Sequence, residues 1–226
     1  MNVGAKTVLA SSPLFQSVDG EALSALADTA FNRTYAPGEI VFRQGDPGQE
    51  LYGVVSGRIL ISVASPDGRE VNLNVMSPGD VLGEIALLDG QPRTATGSAM
   101  EPTVVCVITK SVFEDFLDQH PKIARQLLVL LCSRVRWANY LMEDAAFYST
   151  PTRLAKRLEG LSSANGGVVR TSQNDLAHFL NVSRQVVNGY LREWQSSGYV
   201  SLRRGAVIVH DLSPLTDVRL APTDPD

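Results

Sequence analysis

Four residues within a segment of twelve carry the clearest chemical signal in the sequence. Glu84 follows Gly83 at the start of a short apolar run, and Thr94 directly follows Arg93. A glycine at the start of a helical turn lets backbone N–H groups approach an anion, and the planar fork of an arginine suits a phosphate. The carboxylate of Glu84 beside such a site would accept a hydrogen bond from a hydroxyl. A phosphate and a hydroxyl held together indicate a 3′,5′-cyclic nucleotide with its free ribose 2′-OH.

The same side chains allow a simpler interpretation, an internal Glu84–Arg93 ion pair without a ligand. A buried arginine needs an anionic partner, and spacing alone does not tell a carboxylate from a phosphate. In both interpretations Ile85 and Ala86 lie in the first turn after Gly83. Residues 83–95 are therefore the candidate pocket segment.

Short β-prone runs surround this segment. Glycines punctuate residues 35–109 at short intervals, and the runs between them are 39–43, 51–55, 58–63, 70–76 and 103–108. Many short strands separated by turn residues predict a small antiparallel barrel or sandwich.

A long helix is predicted next, because residues 122–146 contain neither glycine nor proline. Two stripes at helical spacing run along it: Ile123, Leu127, Leu130, Arg134, Trp137 and Leu141, and then Leu128, Leu131, Val135, Ala138 and Met142. We expect one stripe to pack on the barrel and the other on a second copy of the chain, the alternative being a core helix of a monomer. Arg134 is expected to reach Glu84 or the ligand, or to cover apolar surface with its stem.

The last block has the order of a winged helix-turn-helix. The pattern predicts a hinge at 147–151, a helix over 152–161, a turn at 165–167, two capped helices and a β-hairpin over 199–209. Thr171 is expected to cap the first of these helices and Ser183 the second, with Asn181 in the left-handed conformation between them.

The second helix should enter the major groove of DNA with its first residues. The DNA-contacting residues expected here are Ser183, Arg184, Gln185 and Asn188, with Arg184 forking onto guanine and an amide side chain reading adenine. Phosphate contacts are expected from Ser172, Gln173, Arg203 and Arg204. We expect Val186, Val187, Tyr190, Leu191 and Trp194 to form the core.

The charge distribution supports two domains with different partners. The 226-residue chain has a net charge of −4, but residues 1–150 hold 11 basic and 17 acidic side chains, whereas residues 151–210 hold eight basic and three acidic ones. An excess of basic residues in 151–210 is typical of a segment that binds nucleic acid. An acidic protein partner is the alternative for the same surface.

Composition excludes several classes. Two cysteines cannot form a disulfide framework or a four-cysteine metal site. The longest apolar run has six residues and the first twelve residues lack the pattern of an export signal, so we expect no membrane partner and a cytoplasmic location. No triad or metal-ligand spacing is present, and we expect no enzyme activity, no metal and no cofactor.

Several motifs together resemble the cyclic-AMP receptor protein (CRP/FNR) family of bacterial transcription regulators over residues 14–210. They are the turns Phe42-Arg43-Gln44-Gly45-Asp46-Pro47-Gly48 and Leu51-Tyr52-Gly53-Val54-Val55-Ser56-Gly57, and the phosphate cassette at 83–94. The resemblance implies an α+β chain: a double-stranded β-roll (jelly roll) sensor over 1–120, a dimerisation helix and hinge over 121–150, a winged helix-turn-helix over 151–212 and a tail over 213–226. It also implies a homodimer, a palindromic double-stranded operator and RNA polymerase as a partner.

By this resemblance Arg93 and Thr94 contact the cyclic phosphate, Glu84 accepts from the ribose hydroxyl and Gly83 lets the backbone approach. The family commonly has a Thr-Ser pair on the long helix, where this chain has Ala138 and Asn139, so Asn139 is expected to meet the base. Cyclic AMP is the first choice of effector. Cyclic GMP is the second, because Thr after the cassette arginine also resembles cyclic-GMP-binding modules. The alternative is a regulator with a degenerate pocket that acts without ligand or with another one.

Overall fold

The computed structural model describes residues 3–68, 70–163 and 166–216. Asn165 of the expected turn and residues 217–226 of the expected tail lie outside these ranges. Two compact units divide the chain, Met1–Arg136 and Trp137–Asp226.

The first unit is built on two four-stranded antiparallel sheets, with orders β1-β8-β3-β6 and β2-β7-β4-β5. Its strands are β1 (Phe31–Tyr35), β2 (Ile40–Phe42), β3 (Glu50–Ser56), β4 (Ile59–Ala64), β5 (Glu70–Met76), β6 (Val81–Leu82), β7 (Thr96–Ala99) and β8 (Thr103–Thr109). Five of these strands match the β-prone runs of the sequence. The other three, β1, β6 and β7, are too short or too polar to show there.

The first sheet has an inner and an outer apolar face, because successive side chains of a strand point to opposite sides. Tyr52 and Val54 pack inside the roll with Val105 and Val107. Leu51 joins Cys106 and Ile108 in the other core, beneath the helices. A strand buried on both faces has no simple alternation of polar and apolar residues, which is why β3 and β8 look continuously apolar.

Helices cover the outer face of this sheet. They are α1 (Val3–Ser11), α2 (Gly20–Thr29), α4 (Lys110–Gln119) and the start of α5 (Lys122–Phe147), while the short α3 (Glu84–Asp89) lies in the cassette. The carboxylate of Asp19 caps α2 by accepting from the N–H groups of Glu21 and Ala22, and these bonds lower the pKa of Asp19.

The predicted long helix is confirmed and has 26 residues. Its first stripe is buried where it starts, at Ile123 and Leu127. The apolar side chains on its other side are exposed by 59% to 71% at Leu128, Val129, Val135 and Met142.

The second unit contains α6 (Thr150–Ser163), α7 (Gln173–Leu180), α8 (Arg184–Ser196), α9 (Ser213–Thr216) and a sheet of three antiparallel strands, β9 (Val168–Val169), β10 (Val200–Arg203) and β11 (Ala206–Val209). Asn181 has φ 57°, and Ser183 accepts from the Val186 N–H at the start of α8, as the sequence predicted.

Two sequence predictions in this unit are wrong. The cap of α7 is Ser172 rather than Thr171, since Ser172 and Asp175 form a reciprocal capping box. Val186 was expected in the core but is 40% exposed, because the first turn of α8 turns this side chain away from the cluster that buries Val187 and Leu191. No helix within the described ranges is both long and apolar enough to cross a membrane.

Candidate ligand pocket and nucleic-acid interface

The cassette helix α3 begins and ends at glycines with positive φ. Gly83 precedes the helix with φ 91° and Gly90 follows it with φ 69°. At Gly83 space is also restricted: a Cβ atom would come within 2.6 Å of Arg93 Nη1 and 3.0 Å of the Glu50 carbonyl oxygen. Both the conformation and the close approach of the arginine therefore require glycine here.

Arg93 is held inside the roll and is only 4% exposed. Its backbone is fixed by two bonds to the loop after β2, from the Gly45 N–H and to the Asp46 carbonyl. Nη1 donates to the Gly83 carbonyl at 2.8 Å and Nη2 to the Glu50 carbonyl at 2.7 Å. The guanidinium carbon lies 4.8 Å and 5.4 Å from the ring centroids of Phe42 and Tyr52.

Within the part of the chain that the structure describes, the charge of Arg93 has no carboxylate partner. Among the described residues no ion pair is formed by Arg93, and its buried Nε has no hydrogen-bond acceptor. Carbonyl dipoles and aromatic faces stabilise a cation less than an anion does, and a buried charge without a counterion is costly. This guanidinium is therefore poised to receive an anion through Nε and the remaining Nη protons.

Glu84 is 3% exposed and pairs with the long helix rather than with Arg93. Its Oε1 accepts from Arg134 Nε at 3.1 Å, and Arg134 Nη2 also donates to the Val81 carbonyl at 3.0 Å. The Glu84–Arg93 ion pair, the simpler interpretation of the sequence, is thus wrong. Of the expectations for Arg134, the contact with Glu84 is the one the structure shows. The carboxylate has further lone pairs for a hydroxyl.

Glu50 and Arg33 form an ion pair beside this site, which the sequence analysis did not predict. Arg33 of β1 donates from both Nη atoms to the Glu50 carboxylate, at 3.0 and 2.9 Å, and the Tyr52 hydroxyl donates to Glu50 Oε2 at 2.6 Å. Burial opposes ionisation of Glu50, but these hydrogen bonds outweigh it and lower its pKa. Burial and the carboxylate raise the pKa of Tyr52. Arg33 and Glu50 lie on separate strands with β8 between them, so no local pattern signals the pair.

The other expected pocket residues are distributed around the cassette. Ile85 is half-buried, Ala86 is buried and Thr94 is exposed. Asn139 is exposed on α5 in the second compact unit, so its contact with a base stays a prediction.

The start of α8 presents polar side chains to the surface. Arg184 and Gln185 are exposed, and the half-buried Asn188 accepts from Gln173 Nε2 at 3.3 Å. The exposed Val186 between them is a residue that the sequence argument missed; its methyl groups suit contact with the thymine methyl.

Four of the expected DNA contacts line one cleft of about 300 Å³ between α7, α8 and the β10–β11 hairpin. They are Ser172, Gln173, Arg184 and Arg203. The structure therefore brings together two positively charged side chains and two polar side chains from separate segments. The Ser172 hydroxyl is used in the capping box of α7.

Comparison with known proteins matches both halves of the chain. Residues 32–120 match the cyclic nucleotide-binding domain model and residues 152–218 the Crp-like helix-turn-helix domain model. The chain is 31% identical to a "CRP-like cAMP-activated global transcriptional regulator" of Mycobacterium tuberculosis, over 90% of this chain and 95% of the relative.

Two further similarities come from Thermus thermophilus. The "Cyclic AMP receptor protein" of that organism is 29% identical, over 92% of this chain and 96% of the relative. The crystal structure of its catabolite activator protein has a TM-score of 0.55 and 29% identity, covering 91% of this chain and 97% of that one.

Proposed function

Because the chain belongs to the CRP/FNR family of DNA-binding transcription regulators, we propose that it is a homodimer whose operator binding is controlled by a cyclic nucleotide. Cyclic AMP is the first choice of effector and cyclic GMP the second. In this proposal residues 1–120 are the sensor, 121–150 the dimerisation helix and hinge, and 151–212 the DNA reader, acting on a palindromic operator in the cytoplasm with RNA polymerase as a further partner.

The observation that supports an anionic ligand is the buried guanidinium of Arg93, which pairs with no carboxylate in the described ranges. Two of its five N–H donors are bonded to carbonyls, so the others can donate to the oxygens of a cyclic phosphate without breaking these bonds. Glu84 accepts from the ribose hydroxyl while still holding Arg134, and Thr94 adds a hydroxyl donor. Gly83, Ile85 and Ala86 supply the backbone wall, and Asn139 is assigned to the base.

The exposed stripe of α5 supports the dimer. Leu128, Val135 and Met142 are exposed by 60% to 71% and recur every seven residues, which is the heptad period of a two-helix coiled coil. An exposed apolar row of this length on a helix is typical of an interface with a partner. A second copy of the same helix offers a matching row.

The DNA-facing residues are assigned by position. Arg184 and Gln185 are the base readers at the start of α8, with Val186 as an apolar neighbour. Ser183 and Asn188, the latter linked to Gln173, are assigned to the same groove-facing side of the helix. The phosphates are assigned to Ser172, Gln173, Arg203 and Arg204. The excess of basic over acidic residues in 151–210 supports contact with DNA phosphates.

Control by nucleotide is a population shift in this proposal. A nucleotide favours the conformations that bind operator tightly, by making contacts in them that other conformations lack. The coupling is reciprocal, so operator DNA must tighten nucleotide binding by the same factor.

Calorimetric titration with cyclic AMP and cyclic GMP tests the proposal. We expect heat with one of them for the wild type and none for Arg93→Ala, while both proteins sediment as dimers. Arg58→Ala is the control, because it removes another arginine of the roll, one whose charge pairs with the Glu101 carboxylate at 3.1 Å. Absence of heat with either nucleotide, together with tight operator binding, would favour a ligand-independent regulator. Absence of any preferred DNA sequence in a gel shift would favour an acidic protein partner.

A further inference from the structure

A second arginine lies on the same face of the sheet as Tyr52. Arg33 is opposite Val105 in the β1–β8 pair, and Tyr52 and Val54 are opposite Val107 and Val105 in the β3–β8 pair. Residues at alternate positions of paired strands share a face. Arg33 therefore reaches across β8 on the inner side to bind the Glu50 carboxylate with both Nη atoms.

Glu50 is an acidic residue next to the arginine of the proposed anion site, where its charge opposes anion binding. Its own carbonyl accepts from Arg93 Nη2 at 2.7 Å, so its carboxylate is within one side-chain length of that guanidinium. Against the effect of burial, Arg33 and Tyr52 lower the pKa of Glu50, and Arg93 adds a smaller contribution in the same direction. A carboxylate at this range both competes for the cation and repels a phosphate.

Arg33 and Tyr52 occupy the Glu50 carboxylate. Bidentate pairing with a guanidinium is the geometry that holds a carboxylate most firmly, and the Tyr52 hydroxyl takes part of the remaining acceptor capacity. The side chain of Arg33 is 39% exposed and that of Glu50 24%. The pair therefore contributes little to stability by itself. Because it lies next to Arg93, it can instead affect how Arg93 binds an anion.

We propose that Arg33 is a positioning residue for the phosphate site: by holding the Glu50 carboxylate it keeps Arg93 available for an incoming anion. The inference rests on the proposed role of Arg93 in nucleotide binding. It predicts an unusual pattern, in which loss of Arg33 is harmful only while Glu50 keeps its charge.

The test is a set of full-length variants titrated with cyclic AMP and cyclic GMP by calorimetry. Arg33→Gln should weaken binding of the effector by about tenfold or more, the effect of one uncompensated charge at short range. Glu50→Gln should stay within about threefold of the wild type, and so should the double variant Arg33→Gln/Glu50→Gln. Arg33→Lys should also stay close to the wild type, because it keeps the positive charge next to Glu50.

Arg58→Gln is the matched control. It removes a similar partly exposed pair in the roll, between Arg58 and Glu101, and should leave binding unchanged. Circular dichroism and thermal unfolding check that each variant is folded. Arg33→Met, which keeps an unbranched apolar stem but removes the guanidinium that lies over the Phe31 ring, replaces Arg33→Gln if the latter does not fold.

A readout without nucleotide separates this inference from the proposed function. The Nε–H resonance of Arg93 in a ¹⁵N spectrum, assigned through its loss in Arg93→Lys, should shift in Arg33→Gln as Arg93 pairs with Glu50. It should return in the double variant. An unmoved resonance in Arg33→Gln, or a double variant that binds as weakly as Arg33→Gln, overturns the role of Arg33. If the wild type binds neither nucleotide while the resonance still shifts in Arg33→Gln and returns to its wild-type position in the double variant, the proposed effectors are overturned and the relationship between the charges stands.

Discussion

Arg134 Nε donates to Glu84 Oε1 at 3.1 Å, so the long helix α5 is bonded directly to the first residue of the cassette helix. The same guanidinium donates to the carbonyl of Val81, the first residue of β6. The side chain of Glu84 is 4% exposed and that of Arg134 28%. One cation therefore compensates a buried carboxylate and joins the roll to the helix that carries the exposed apolar stripe.

Arg134→Ala should destabilise the protein by about 1–3 kcal/mol, because it leaves the buried Glu84 carboxylate without its cation. Urea denaturation followed by circular dichroism measures this difference. Adding Glu84→Gln should recover part of the loss, since an amide is cheaper to bury than an anion. Arg58→Ala, at the exposed pair with Glu101, should cost less than about 1 kcal/mol. Equal losses for Arg134→Ala and Arg58→Ala would contradict the special position of Arg134.

Gly83→Ala and Gly90→Ala separate backbone strain from steric conflict. Both residues have positive φ, so each substitution should cost about 1–3 kcal/mol of stability. Only at Gly83 would the new Cβ meet the Arg93 guanidinium, whereas nothing lies within 4 Å at Gly90. We therefore expect Gly83→Ala to abolish nucleotide binding in calorimetry and Gly90→Ala to retain it. Equal binding by the two variants would contradict a close approach of Arg93 to the cassette backbone.

Arg184→Ala should lower affinity for the specific operator by about 1–3 kcal/mol and have a small effect on random DNA, because a base contact carries sequence information. Arg203→Ala should weaken both kinds of binding alike and reduce the salt slope by about one unit, as loss of a phosphate contact does. Fluorescence anisotropy across a salt series measures both quantities. An equal loss on random DNA for Arg184→Ala would argue against base reading.

The exposed thiol of Cys132 can report on the dimer. Cys132 is exposed on α5 and Cys106 is buried; burial raises the pKa of Cys106 and keeps it unreactive. Cys132 lies four residues after Leu128 and three before Val135, within the exposed stripe, where a two-fold axis would place it opposite its copy. A short bismaleimide should therefore yield a covalent dimer on a denaturing gel, and Cys132→Ser should yield none. A sedimenting dimer that does not cross-link would place the interface elsewhere.

Local signals predicted more of the second unit than of the first. The turn at Asn181, the cap at Ser183 and the hairpin at residues 200–209 depend on conformational preferences of single residues, and all are present. The cap at Thr171 was misplaced by one residue, because a neighbouring serine with an aspartate three residues later forms a capping box. In the roll, β1, β6 and β7 were missed because they are too short or too polar to form a β-prone run, and only pairing with strands far away in sequence makes them strands.

The sequence by itself determined which chemistry is available: a glycine before a short helix, a glutamate and an arginine within reach of one ligand, a long helix with two apolar stripes, and a basic helix-turn-helix. Only the tertiary structure decided the pairing of the charges. Glu84 binds Arg134 and Glu50 binds Arg33, while the guanidinium of Arg93 meets, among the residues described, only carbonyls and aromatic rings. The two ion pairs join residues that are 17 and 50 positions apart in the sequence. Which charges meet across such distances depends on strand order and helix packing rather than on any local pattern.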